Sequence, residues 1–232
     1  MTSPGRLVIV AFALLASACS QNDAPASAEP PRGADERSAA GPDAPGPPRI
    51  VILGDSLTAG YGLEPAQAFP SLLQRRLEQE GLEYQVVNAG VSGDTTAGGL
   101  RRLDWSIAGD TRVLVVALGG NDGLRGLPVE ETRRNLDAII TRAKERGITV
   151  ILAGMEAPPN YGAKYTAEFR QVFSDLAKEH DLAFVPFLLE GVAGEPSLNL
   201  RDGIHPNPEG ARRVEALVWR AIEPALEQAA AR

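Results

Sequence analysis

From Arg49 onward, short apolar runs alternate with stretches in which apolar residues recur every three or four positions. The short runs are β-branched or leucine-rich and are closed by Gly, Pro or polar residues, which predicts strands. They fall at Arg49–Gly54, Tyr84–Asn88, Arg112–Leu118, Ile148–Ala153 and Ala183–Val185. The periodic stretches predict helices. Phe69, Leu72, Leu73 and Leu77 share one face, and Gly81 stops that helix. Leu136, Ile139, Ile140 and Ala143 share a second, with Pro128 near its start and Gly147 at its end. Tyr165, Phe169, Val172, Phe173 and Leu176 form a third stripe. Ala211, Val214, Leu217, Val218 and Ile222 form the last, opened by Asn207 as N-cap and Pro208 in the first turn. Near-continuous apolar strands alternating with amphipathic helices predict a parallel sheet covered on both faces. Right-handed crossovers then give an α/β fold built as a three-layer α/β/α sandwich, in one domain over residues 49–232.

The first 48 residues follow another pattern. Arg6 precedes the apolar run Leu7–Ala16, and Ala16-Ser17-Ala18 stands just before Cys19. A basic start, an apolar stretch too short to span a bilayer and a small-residue exit site read as an export signal over residues 1–18. Cys19 is the only cysteine of the chain, so it has no internal partner for a disulfide. The segment resembles a bacterial lipoprotein signal, in which that cysteine is acylated after cleavage. It departs from the usual pattern in having Ala16 three residues before the cysteine where leucine is common. Simple secretion and a retained anchor are the alternatives. Ser20 after the cysteine, in place of Asp, resembles an outer-membrane sorting signal and implies a periplasmic location. Residues 20–48 contain no Val, Ile, Leu, Met, Phe, Trp or Tyr. Such a stretch cannot bury enough apolar surface to offset its ordering entropy, so residues 19–48 read as a disordered tether.

Charge narrows the partners. A net charge of −7 argues against nucleic acid, whose phosphates require a basic face, and against electrostatic binding to anionic lipid. Membrane contact is expected only through a lipid on Cys19.

The chemistry gathers at strand ends. Ser56, in Gly54-Asp55-Ser56-Leu57, sits where the first strand stops, and open α/β sheets place their sites at that edge. A serine hydroxyl needs a base, ordinarily an imidazole oriented by a carboxylate. The chain has two histidines. His180 follows Lys178 and Glu179 at the polar end of a helix and reads as a surface residue. His205 follows Asp202 by three residues in a loop before the last helix, a spacing that lets one turn present both side chains. Acyl transfer also needs donors for a negative oxygen. Ser92-Gly93-Asp94 and Gly119-Gly120-Asn121-Asp122-Gly123 follow the second and third strands as glycine-rich loops able to offer a backbone N–H and the Asn121 amide. Asp55, Asp94 and Asp122 read as loop-fixing carboxylates that accept backbone N–H bonds. No His/Cys cluster or calcium-loop spacing points to a metal, and no phosphate loop, G-x-G-x-x-G or G-x-S-x-G motif is present.

Those four blocks, with Asp202-Gly203-Ile204-His205-Pro206 as the last, resemble the signature blocks of the GDSL, or SGNH, hydrolases, from about Ile50 to Gly210. Val91-Ser92-Gly93-Asp94-Thr95, Leu118 to Gly126 and Pro159-Asn160-Tyr161-Gly162 resemble in particular the periplasmic thioesterase/lysophospholipase/arylesterase group. The resemblance implies a flavodoxin-like sheet with strand order 2-1-3-4-5. It implies Ser56 as nucleophile, His205 as general base and acid, and Asp202 as its orienting carboxylate. Ser56 N–H, Gly93 N–H and the Asn121 side chain would form the oxyanion hole. No cofactor is implied, the substrate would be a small ester or thioester, and the chain is expected to act as a monomer. Met155–Tyr165, with its prolines, is a candidate acyl groove. A carbohydrate O-acetylesterase is the alternative within the enzymes, and a non-catalytic lipoprotein that binds acyl chains or glycans is the alternative outside them.

Overall fold

The computed structural model describes residues 46–230. The expected export signal over residues 1–18, Cys19 and nearly all of the tether lie outside the described residues. Five strands form one parallel sheet: β1 (Arg49–Gly54), β2 (Gln85–Gly90), β3 (Thr111–Ala117), β4 (Thr149–Ala153) and β5 (Ala183–Val185). Their order across the sheet is β2-β1-β3-β4-β5, as expected. Burial on both faces explains the continuous apolar runs: Val113, Leu114, Val115 and Val116 of β3 are fully buried, as are Ile50 to Leu53 of β1.

Among the described residues, seven α-helices connect and cover the strands: α1 (Ser56–Ala59), α2 (Phe69–Gln79), α3 (Thr96–Ser106), α4 (Gly120–Leu124), α5 (Val129–Glu145), α6 (Ala163–Glu179) and α7 (Pro208–Ala230). The stripes read from the sequence are the core-facing sides. Leu73 and Leu77 of α2 are fully buried, as are Leu136, Ile139, Ile140 and Ala143 of α5 and Phe169 and Leu176 of α6. Each of these Leu, Ile and Phe side chains contributes roughly 1.5–3 kcal/mol by leaving water. Asn207 caps α7 as expected, its side-chain oxygen accepting the N–H groups of Glu209 and Gly210 at 3.0 Å each.

Helices α2 and α7 pack together, while α3, α5 and α6 pack in series. The chain runs from β1 outward to β2 and then back across to β3. With right-handed crossovers this reversal puts α2 opposite α3, α5 and α6, which gives the three layers. The reversal also leaves a crevice beyond the C-terminal ends of β1 and β3, and ligands bind at such a switch point.

Two elements differ from the expectation. Helix α3 was not legible as a periodic stripe, because Gly98 and Gly99 occupy positions where side chains would have marked its face. Both are there for close approach: a Cβ on Gly98 would collide with the Asp94 carboxylate, and one on Gly99 with the Leu118 side chain. The segments after β1 and β3, expected as loops, are single helical turns, α1 and α4. Among the described residues, no helix is long and apolar enough to cross a membrane.

Candidate active site

The position of Ser56, the expected nucleophile, is built by the end of β1. Asp55 caps α1, its carboxylate accepting the Leu57 N–H at 3.0 Å, and Ser56 is the first residue of that turn. Its N–H therefore has no acceptor within the helix. Across the crevice, the loop before α7 is closed by backbone bonds from Leu200 N to His205 O (2.7 Å) and Gly203 N to Leu200 O (3.0 Å). Within it Asp202 accepts the N–H groups of Ile204 (2.9 Å) and His205 (3.0 Å) and approaches His205 Nδ1 at 2.7 Å. His205 Nε2 lies 2.9 Å from Ser56 Oγ, across 149 positions of sequence. Serine, imidazole and carboxylate are thus in one hydrogen-bonded line.

Chemistry fixes the direction of that line. An ionised carboxylate only accepts, so Nδ1 carries the proton and Nε2 presents its lone pair to the serine hydroxyl. The backbone N–H groups of His205 and Ile204, followed by the imidazole itself, hold the Asp202 carboxyl at about 2. Asp55 moves the other way. Burial pushes its carboxyl to about 6, against the opposing pull of the Leu57 N–H, His205 and Asn121. Tyr61 was not anticipated: its ring lies over the imidazole, centroids 4.5 Å apart and planes tilted by 35°. It is five residues beyond Ser56, where the turn after α1 doubles back, and no periodicity marks it.

The donor side comes from the ends of β2 and β3. Gly93, at φ +80°, turns the chain after β2 in a conformation that favours glycine. Its carbonyl accepts a bond from Arg125 Nη2 at 2.8 Å. Asn121 Nδ2 donates to Asp94 O at 2.9 Å and to Asp55 Oδ2 at 3.3 Å, so both amide hydrogens have acceptors in the resting site. If Asn121 serves the expected oxyanion hole, the oxyanion takes the place of the longer bond. Asp122 is buried behind this turn, taking the Thr96 N–H at 2.9 Å and the Thr96 hydroxyl at 2.5 Å, which joins α4 to the start of α3.

Asp55 and Asp122 thus accept backbone N–H groups as expected. Asp94 does not: its carboxylate pairs with Arg102 Nε at 2.7 Å, because α3 brings that guanidinium beneath the loop. His180 is only half-buried and far from this site in role, its Nε2 2.6 Å from Asp137 Oδ1 between α6 and α5.

Ser56, Gly93, Asn121 and His205 all line one cleft of about 680 Å³. Beyond them its wall is mostly apolar and includes Leu57, Leu124, Met155, Phe187, Leu189 and Ile204. The first half of the expected acyl groove, Met155 to Pro159, lines the cleft. The second half does not; Tyr161 instead donates to Leu124 O at 3.0 Å and closes the neighbouring loop. Among the described residues, no group of three or more His, Cys, Asp or Glu side chains is arranged to hold a metal ion.

A sheet wound in this order, with such a relay at its C-terminal edge, belongs to the SGNH class of hydrolases. The sequence profile of the GDSL-like lipase/acylhydrolase family matches residues 52–213, and the chain belongs to that family. It is 43% identical over 178 residues to the esterase TesA of Pseudomonas aeruginosa, covering 76% of this chain and 89% of the relative. It is 36% identical over 176 residues to thioesterase 1/protease 1/lysophospholipase L1 of Escherichia coli K12, covering 75% and 83% respectively. A crystal structure of TesA superposes with a TM-score of 0.73 at 42% identity, covering 76% of this chain and 98% of that one.

Proposed function

We propose that this chain is an exported serine esterase that hydrolyses carboxylic esters and acyl thioesters, aryl esters and lysophospholipids included, through an acyl-enzyme. The observation that carries the reading is the continuous line from Ser56 Oγ to His205 Nε2 (2.9 Å) and from His205 Nδ1 to Asp202 (2.7 Å) on the wall of an apolar cleft.

Ser56 Oγ attacks the acyl carbonyl while His205 Nε2 takes its proton. Asp202, ionised throughout the working range, holds the tautomer and balances the imidazolium. The carbonyl oxygen becomes an oxyanion facing Ser56 N–H, Gly93 N–H and the Asn121 amide. Collapse expels the alcohol or thiol, which leaves with the proton held on Nε2. Water then enters, gives a proton to the same nitrogen and attacks the acyl-serine. The acid departs, and Ser56 recovers its hydrogen. No cofactor enters these steps.

The apolar wall supports an acyl group with a hydrocarbon chain. A sugar would leave much of that wall unmatched, which disfavours carbohydrate O-acetyl esters. The rim points the same way, since Tyr61, Leu124 and Ile204 line the cleft yet remain 54%, 46% and 45% exposed. Export is supported by the leader-like first 18 residues, and acylation of Cys19 followed by periplasmic tethering to the outer membrane is part of the same proposal. The folded body acts as a monomer with a small ester as its partner.

A substrate series tests this. kcat/KM is expected to be higher for p-nitrophenyl butanoate than for the acetate, with palmitoyl thioester and lysophosphatidylcholine also cleaved and acetylated xylan left intact. Acetate release from xylan with negligible turnover of butanoate would replace this reading by the O-acetylesterase. Binding of fatty acid without any turnover would replace it by the non-catalytic binder.

A further inference from the structure

Arg102 lies on α3, eight residues beyond the Ser92–Asp94 loop, and takes no part in the steps above. Its side chain is 18% exposed, and four of its five N–H donors have acceptors. Nε donates to Asp94 Oδ2 at 2.7 Å, Nη2 to Gly54 O at 2.8 Å, and Nη1 to Ala89 O at 2.7 Å and, more weakly, to Ser106 Oγ at 3.4 Å. Its three short bonds reach three different segments. Gly54 ends β1, two residues before Ser56. Ala89 lies near the end of β2, four residues before Gly93. Asp94 follows Gly93 directly.

We propose that Arg102 is the positioning residue of the oxyanion hole, fixing the separation of its donors by clamping the strand ends that carry them. The inference rests on the esterase reading above. Ser56 N–H is set through Gly54, and Gly93 N–H through Ala89 on one side and Asp94 on the other. The Asn121 amide is set through Asp94 as well, because Asp94 O accepts its Nδ2 at 2.9 Å. Hence all three donors trace back to one guanidinium. The sheet alone does not supply this. Its pairing of β1 with β2 ends at Gly54 and Gly90, followed by a single Val91 N–H to Gly54 O bond of 3.0 Å. Beyond Val91 the loop has no strand partner. Gly98 completes the device, since any side chain there would displace the Asp94 carboxylate from the guanidinium.

A planar fork is required for this task. A lysine ammonium keeps the charge but cannot reach Asp94, Ala89 O and Gly54 O at their separate angles. Loosened donors would weaken the transition state and leave ground-state binding, which depends on the apolar wall, intact.

The test compares the wild type with Arg102→Lys and Asp94→Asn on p-nitrophenyl butanoate. Butylboronic acid, whose Ser56 adduct places an oxygen among the donors, and 1-butanol, a neutral ligand that offers the wall its alkyl chain and the donors no negative oxygen, serve as ligands. For Arg102→Lys, kcat is expected to fall by about 100-fold, the loss that follows an ångström of misplacement, with KM within about twofold. Affinity for butylboronic acid should fall by a similar factor while that for 1-butanol holds. Asp94→Asn, which keeps the shape but removes one charge-assisted bond, should lose about tenfold with the same split. Circular dichroism at the assay temperature verifies folding, and if the lysine variant is unfolded, Asp94→Asn decides. Variants that turn over within threefold of the wild type, or that lose butanol affinity and boronate affinity alike, would overturn the proposal. An inert wild type would instead remove the esterase reading beneath it, before any variant is considered.

Discussion

The two sides of the cleft are held by opposite means. On the imidazole side, one short turn does most of the holding: Asp202 accepts two backbone N–H groups of its own turn and the ring of His205. On the donor side, the groups come from the ends of three strands and are tied together by buried or half-buried side chains, Arg102 and Asp122 foremost. The difference follows from the task. Orienting one imidazole is a local problem that a turn solves. Aiming the three proposed oxyanion donors at one oxygen requires segments that are distant in sequence to keep fixed separations. The two carboxylates nearest the reacting atoms reflect this contrast. Asp202 is exposed and held at about 2 by the donors around it, whereas Asp55 is buried and pushed up to about 6.

Breaking the local side should cost most. Asp202→Asn keeps the volume but replaces an acceptor at His205 Nδ1 with a group that also donates, which permits the wrong tautomer. kcat is expected to fall by about 10³–10⁴ with little change in KM, the consequence of that exchange in a serine triad. A loss under tenfold would mean that the turn's backbone orients His205 without the carboxylate.

Removing one donor on the other side should cost less, because two others remain. Asn121→Ala is expected to lower kcat by about 10²–10³, roughly 3–4 kcal/mol, again with KM nearly constant. A change confined to KM would make Asn121 a ground-state contact. The 3.3 Å bond to Asp55 sharpens this point, since an oxyanion and Asp55 compete for the same amide hydrogen.

How much of this was legible in the chain follows the same divide. Strands β1 and β5 begin and end where their apolar runs do, and β2 to β4 differ only by a residue or two at frayed ends. The relay could be read because Asp202-x-x-His205 is a local spacing and Ser56 ends an unambiguous strand. The clamp could not. Arg102 becomes meaningful only when α3 exists, and α3 is masked by the two glycines that let it pack so closely. Asp94 reads as another turn carboxylate for the same reason, since its partner lies nearly two turns into α3, eight residues beyond it. Tyr61 could not be read either, because packing against a ring 144 positions later leaves no trace in local pattern.

The smallest expected effect concerns stability against pH. With a folded value of about 6 against an ordinary 3.8, the folded chain holds the Asp55 proton more tightly than the unfolded chain does. Its contribution therefore favours the fold below about pH 4 and is lost as pH rises toward 6. Asp202 has the opposite sign, supporting the fold above its ordinary value and losing that support as pH falls toward 2. Asp55→Asn retains an oxygen for the Leu57 N–H and abolishes the titration. The Tm of that variant relative to the wild type should thus rise between pH 4 and pH 7. Parallel Tm curves across that interval would show that Asp55 titrates near its ordinary value.

The central claim, that Ser56 is activated by His205 and attacks an acyl centre, is tested most directly by intact-protein mass spectrometry after treatment with a fluorophosphonate. The account predicts a single adduct that maps to Ser56 and is absent from Ser56→Ala, which keeps its circular dichroism spectrum and loses ester hydrolysis. An unmodified wild type, or an adduct and activity that survive in Ser56→Ala, would contradict it.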